Sequence, residues 1–385
     1  MSTMKQSPKM QLSKEEFDRR FGGIRKLMAD QDLEALIIYA IAQREFLGNT
    51  RYFTNCPLLT RRHYVIIPLE RDPIFLVPDH TDDRPRKYSV IEDIRCIGDR
   101  HMVEMPLEIV KILRDLKLER GKIGIVGMEN LMPVRDFLIL KEGLPQARFL
   151  DATDLLNRFR MKKSLEEIEL VKKAGALVDE AYRTFLEMAH PGEREFDIIA
   201  EVKKVLTKGG AEDIFMITTS GPSIIGLLEP PTSRMIEKGD VFLFNCELAG
   251  EGGYWAEIER PVAFGDIRSD FWKVFEVAKE AVRAGSEIMK PGHTAGDVTT
   301  RVINFIKEAG CETGHWCGHG MGLDVVEEPG LIPKNETMIE ENMVISLHPH
   351  VRIPGGVGLM LGDTFIIEKE GAKRISKMIS EFRTI

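Results

Sequence analysis

Apolar positions recur at two different periods along this chain, and the two periods alternate. Phe17, Ile24, Leu27 and Met28 follow helical spacing behind Ser13 and Glu16, a Ser-x-x-Glu pattern that opens a helix. The ten or so residues before it are polar and predict a frayed end. Strand-like runs follow at 35–39, 64–68, 74–77 and 122–126, with a helical pattern over 107–118. Strands interleaved with helices predict an α/β domain over 12–150. Residues 151–163 read as a linker with a short helix. A second Ser-x-x-Glu pattern, Ser164 and Glu167, then opens a long amphipathic helix toward Glu187 and a second domain over 164–385.

That second domain contains a duplication. The stretch HPGEREFDIIAEVKKVLTKGGA around Pro191 returns one hundred positions later as KPGHTAGDVTTRVINFIKEAGC around Pro291. Pro191 and Pro291, Gly192 and Gly292, Asp197 and Asp297, Val202 and Val302, and Gly210 and Gly310 superimpose without a gap. Each copy predicts a helix, a Pro-Gly turn, a second helix and then strands. A single duplication is too short for a solenoid and predicts two facing α/β half-domains, with a ligand cleft between them.

Polar residues interrupt the strands of this half. Asn245 and Glu247 share a face of the run 241–247. In 253–264, Trp255, Glu257 and Glu259 share one face, and Tyr254, Ala256, Ile258 and Arg260 the other. The run 343–350 ends in His348 and His350, the glycine-rich segment 314–322 adds His315 and His319, and 357–368 carries Asp363 among apolar neighbours. Taken singly, each has a bland explanation. Two glutamates can face solvent on a half-exposed sheet, and a lone histidine is most often a hydrogen-bonded core residue. Their convergence in one duplicated unit favours chemistry. Two kinds stay open: a divalent ion held by Glu247, Glu257, His319 and His348, or acid–base catalysis by a histidine with carboxylates orienting it or holding a cationic group. The chain has no HExxH, no GxGxxG before a helix and no P-loop lysine.

Composition narrows the partners. Lys plus Arg number 53 against 61 Asp plus Glu, a net charge of -8, so there is no basic excess to neutralise nucleic-acid phosphates. No apolar run approaches the roughly 20 residues of a membrane span, and no apolar leader segment is visible. Five cysteines (56, 96, 246, 311, 317) without a CxxC predict free thiols in a reducing cytoplasm.

The segments GDVFLFN, GGYWAEIER, GHGMGLDVVEEP and ENMVISLHP, in that order over 239–349, resemble the creatinase, prolidase and methionine aminopeptidase superfamily with its pita-bread fold. NTRYFTN (49–55) resembles the N-terminal domain of its prolidase-like members. The resemblance implies an α/β (α+β) chain: a creatinase-type N-terminal domain followed by a duplicated pita-bread catalytic domain. Peptidases of the superfamily hold two metal ions with two Asp, one His and two Glu. Those positions fall here at Asn245, Glu257, His319, His348 and Gly362, and further family histidines fall at Val326 and near Leu228. Asn245 and Gly362 cannot supply bridging carboxylates, so a two-ion site is not expected. Metal-free creatinase is the nearer analogue, with Asn at the first position and a pattern matched by Gly253, Tyr254, Glu259 and Arg260; ectoine hydrolase is a related metal-free member.

The resulting expectation is a hydrolase of a C–N bond in a small amino-acid-like, guanidino or amidine substrate, without cofactor. His319, His348, Glu257 and Glu259 are its expected catalytic residues. Asn245, Glu247, Tyr254, Arg260, His350, Arg61 and Arg62 are expected to bind substrate, the last two through a carboxylate, although surface charge is the simpler role for that arginine pair. The partners expected are a small molecule and, from the resemblance alone, a second copy of the chain. Three other readings compete. One is a single-ion lyase resembling dimethylsulfoniopropionate lyase, with zinc or iron on Glu247, Glu257, His319 and His348. The others are an Xaa-Pro peptidase-like enzyme and a non-catalytic binding protein of the same fold.

Overall fold

The computed structural model describes residues 12–57, 62–78, 83–98, 104–314 and 316–385. The chain divides into two units, Met1–Arg160 and Met161–Ile385. The first runs α1 (Lys14–Asp30), β1 (Ala35–Ile41), α2 (Gly48–Thr54), β2 (Arg62–Pro68), β3 (Ile74–Val77), α3 (Arg84–Tyr88), β4 (Asp93–Cys96), α4 (Glu104–Asp115), β5 (Lys122–Val126), α5 (Val134–Gly143), β6 (Arg148–Asp151) and α6 (Thr153–Met161). Its six strands form one mixed sheet in the order β4-β3-β2-β1-β5-β6. The Ser13 hydroxyl caps α1 by accepting from the Glu16 amide, and the Glu16 carboxylate is held by Arg19 and Arg20. Ile37, Tyr39, Tyr64 and Ile66 pack with Ile109 and Leu113 of α4 to make its core.

The second unit runs α7 (Leu165–Met188), α8 (Glu195–Lys208), β7 (Asp213–Phe215), β8 (Thr218–Gly221), β9 (Val241–Ala249), β10 (Trp255–Ala263), α9 (Ser269–Ile288), α10 (Ala295–Glu308), β11 (Gly318–Gly320), β12 (Glu327–Gly330), β13 (Val344–Leu347), β14 (His350–Arg352), β15 (Gly358–Met360), β16 (Gly362–Glu368), β17 (Gly371–Arg374) and β18 (Arg383–Thr384). The main sheet follows the order β12-β11-β13-β16-β10-β9-β7, and off that path β8 pairs with β9, β17 with β16 and β18 with β10; β14 and β15 form a separate ribbon. The repeat is visible in the backbone. Pro-Gly turns link α7 to α8 and α9 to α10, with Gly192 at φ 99° and Gly292 at φ 100°, a region that a Cβ disfavours.

Period-two alternation decides which face of this sheet is apolar. Phe242, Phe244, Cys246 and Leu248 of β9 and Ala256, Ile258 and Val262 of β10 pack on α7 and α8. Ile345 and Leu347 of β13 and Phe365 and Ile367 of β16 pack with α9 and α10. The residues between them in sequence point to the other face: Asn245 and Glu247, Glu257 and Glu259, Ser346, Thr364.

The run 343–350 does not form one strand. It stops at Leu347 and resumes at His350, because Pro349 has no N–H to continue a ladder. His348 therefore sits at a break, its backbone N–H donating to the Cys317 carbonyl at 2.9 Å, and His350 belongs to the separate ribbon.

Candidate metal centre

The pairing register assembles the polar face row by row. His319 on β11 lies opposite Ser346 on β13, and Ser346 lies opposite Thr364 on β16. The Thr364 hydroxyl clips β16 to β10, accepting from the Glu257 amide at 2.9 Å and donating to the Glu257 carbonyl at 3.0 Å. Glu257 in turn lies opposite Glu247 on β9. One step along, Glu259 lies between Gly362 and Asn245. Five strands thus bring their side chains to one patch. Neither Thr364 nor Ser346 stood out in the sequence, where a hydroxyl in an apolar strand carries no signal of its partner.

Glu257, His319 and His348 are all buried, and each offers one ligand atom within 4.8 Å of the other two. Nε2 of His348 is 3.6 Å from Glu257 Oε1, and Nε2 of His319 is 3.8 Å from the same oxygen. These separations are too long for hydrogen bonds. They suit donors sharing an ion: two ligands about 2.1 Å from zinc at a tetrahedral angle lie about 3.4 Å apart. Glu257 Oε1 is buried with no hydrogen-bond partner among the described residues. His319 Nδ1 lies 2.9 Å from the Gly320 carbonyl, a contact that places the ring proton on Nδ1 and leaves the Nε2 lone pair facing Glu257. The Trp316 ring stacks on His319 at 5.1 Å between centroids.

Burial and the neighbouring charges of Glu259 and Glu247 push the Glu257 carboxyl well above the ordinary carboxylate range. Burial, with Glu247 and Asp363 adding and Arg260 and Asn245 opposing, pushes Glu259 up to about 8. Nδ2 of Asn245 donates to Glu259 Oε1 at 3.0 Å and to Glu247 Oε1 at 3.3 Å, so this amide ties two carboxylates together. A cation bound among these groups would favour their ionised forms.

The other expected residues are engaged elsewhere. Tyr254 is buried and donates to Glu167 Oε1 at 2.8 Å, bracing the start of α7. Arg260 faces away from the patch, donating to Asp363 Oδ1 and the Gly362 carbonyl, both at 2.6 Å. His350 on β14 meets the Ile225 carbonyl at 2.7 Å and takes no part in the cluster. Arg62 is buried on β2 against Asp136 at 2.6 Å, within the first unit. Arg61 and His315 lie outside the described residues.

Residues 169–369 match the model of metallopeptidase family M24, and residues 20–162 match the creatinase/prolidase N-terminal domain. The chain belongs to metallopeptidase family M24. The relatives it matches are named dipeptidases and prolidases, hydrolases of peptide C–N bonds. Among relatives in this family, a probable dipeptidase PepE of Mycobacterium tuberculosis is 31% identical over 253 residues, covering 65% of this chain and 67% of its own. The Xaa-Pro dipeptidase of Pyrococcus furiosus is 30% identical over 274 residues, covering 70% and 76%. The crystal structure of the prolidase from Pyrococcus horikoshii superposes with a TM-score of 0.81 at 26% identity, covering 94% of this chain and 99% of that one. The pita-bread fold and the creatinase-type N-terminal domain expected from the motifs are those of this family.

Membership corrects one expectation. A site without a metal cofactor was expected from the altered ligand positions, and the M24 match together with the Glu257–His319–His348 cluster overturns it. The competing single-ion reading includes His348 as a ligand, and in space its imidazole offers an atom within 4.8 Å of Glu257 and His319; Glu247 lies outside that trio.

Proposed function

We propose that this chain hydrolyses the C–N bond of a dipeptide-sized amide at a centre in which Glu257, His319 and His348 hold one divalent ion. The observation that carries the reading is the gathering of these three buried side chains within 4.8 Å. Two imidazoles and one carboxylate are a donor set suited to zinc or iron with positions left open. Such an ion supplies Lewis acidity toward a scissile carbonyl and toward water. The protein's own part is orientation. Gly320 fixes the His319 tautomer, Thr364 fixes the backbone of Glu257, and the Trp316 ring packs tilted against that of His319. Asn245 holds Glu247 and Glu259 on the same face. The names of the relatives, dipeptidases and Xaa-Pro dipeptidases, support a short peptide as substrate.

The test is amine release from Xaa-Pro and other dipeptides by protein loaded with zinc or ferrous iron. Turnover is expected in the wild type and is expected to vanish in Glu257→Gln, His319→Ala and His348→Ala with the fold retained by circular dichroism. Undiminished turnover in His348→Ala removes the reading.

A further inference from the structure

Glu259 and Gly362 are opposite one another on the antiparallel pair β10 and β16. Gly362 is at a point where the sheet would ordinarily carry a side chain toward the centre. A Cβ built there would lie 1.9 Å from Glu259 Oε2, 2.5 Å from His348 Cβ and 2.9 Å from Glu259 Cδ. The space is already filled, and what fills it is the carboxylate of Glu259. One oxygen of that carboxylate accepts from Asn245 Nδ2 at 3.0 Å. The other, Oε2, is buried beside His348 and has no hydrogen-bond partner among the described residues, on a side chain only 2% exposed. A buried acceptor is rarely left unmet. The nearest fixed cation in sequence, Arg260, is turned to the other face and committed to Asp363. Glu259 is also outside the trio whose ligand atoms all lie within 4.8 Å of one another, so it stands beside those ligands and not among them.

We infer that Glu259 is a positioning residue of the metal centre, its carboxylate seated in the space left by the absent side chain of Gly362. The two positions work as one unit: the acid is delivered from β10 because β16 carries none. The inference rests on the reading that Glu257, His319 and His348 hold an ion, and it adds the group that sets how tightly they hold it.

The experiment measures zinc affinity by competition with a chromophoric chelator, alongside melting temperature without metal. Glu259→Gln keeps the shape and the Asn245 contact; it is expected to weaken zinc binding about 10–100-fold, the usual effect of removing a supporting charge. Gly362→Ala alone is expected to melt lower, because its Cβ meets the carboxylate. Glu259→Asp, which keeps the charge on a shorter arm, is expected to retain more zinc affinity than Glu259→Gln, a rescue that a merely structural role would not produce. Wild-type zinc affinity in Glu259→Gln, or zinc binding in Glu259→Asp no tighter than in Glu259→Gln, overturns the inference. His319→Ala and Glu257→Gln separate the two levels. If they abolish zinc binding while Glu259→Gln leaves it unchanged, only this inference fails. If they too bind zinc as the wild type does, the ion reading fails with it.

Discussion

Alternation on β10 sends adjacent residues to opposite fates. Glu259 faces the candidate metal centre, and Arg260, one position on, is fully buried on the far side against Asp363. Removing one partner of such a pair strands a buried charge, so Arg260→Ala is expected to cost about 3–5 kcal/mol in urea denaturation. Its loss of activity would then follow from unfolding, with zinc affinity of the folded fraction preserved. The carboxyl of Glu259 sets a pH dependence of the metal-free protein. Its folded value is raised, from 4.5 to about 8, so the folded state holds the proton more tightly than the unfolded chain. The stability linked to it is fully present below the unfolded value and is lost as pH rises through the folded one. Melting temperature without metal should therefore fall between about pH 5 and pH 8, and Glu259→Gln should flatten that slope. A melting temperature that rises over this range would contradict the burial assigned to this group.

At the level of elements, local patterns and long-range contacts reinforce one another. Ser164 and Glu167 form the capping box of α7 that their spacing predicts, and Tyr254, distant in sequence, adds a hydrogen bond to the same glutamate. Ser164→Ala is expected to cost about 1 kcal/mol and Tyr254→Phe a similar amount, read as a lower melting temperature with zinc affinity intact. The repeated Pro-Gly turns make a second comparison. Gly192 and Gly292 have nearly the same positive φ and open space beside them, so alanine at each pays only backbone strain. Both substitutions should cost about 1–2 kcal/mol, and nearly the same amount, because the duplicated unit uses one turn twice.

For the whole molecule, an ion held as proposed would be a ligand of the native state and not of the unfolded chain. Free zinc about 100-fold above its dissociation constant adds about 2.7 kcal/mol to stability. For a unit of this size that is about 5–10 °C in melting temperature. Chelation should reverse the gain in the wild type and leave His319→Ala unchanged. Glu247, Glu257 and Glu259 share one face of the sheet, and the proposed ion would bring a positive charge beside them. No helix among the described residues is long and apolar enough to cross a membrane.

Alternation, capping patterns and the hundred-residue repeat were enough to read the elements, because each is a local property that a few neighbouring residues decide. β3 and β5 coincide with their predicted runs, and Ser13 and Ser164 begin the helices they were expected to begin. The same period-two logic placed Asn245 with Glu247 and Glu257 with Glu259 on shared faces. The sequence could not say which faces meet. That depends on the register between strands more than a hundred residues apart, such as β10 with β16, and on the break at Pro349 that separates His348 from His350. Only there did His348 become a partner of Glu257 and His319, and only there did Gly362 become the seat of a carboxylate instead of a missing ligand. A residue's type sets which chemistry it can do; the fold decides which atoms stand opposite it, and metal binding is a property of the set.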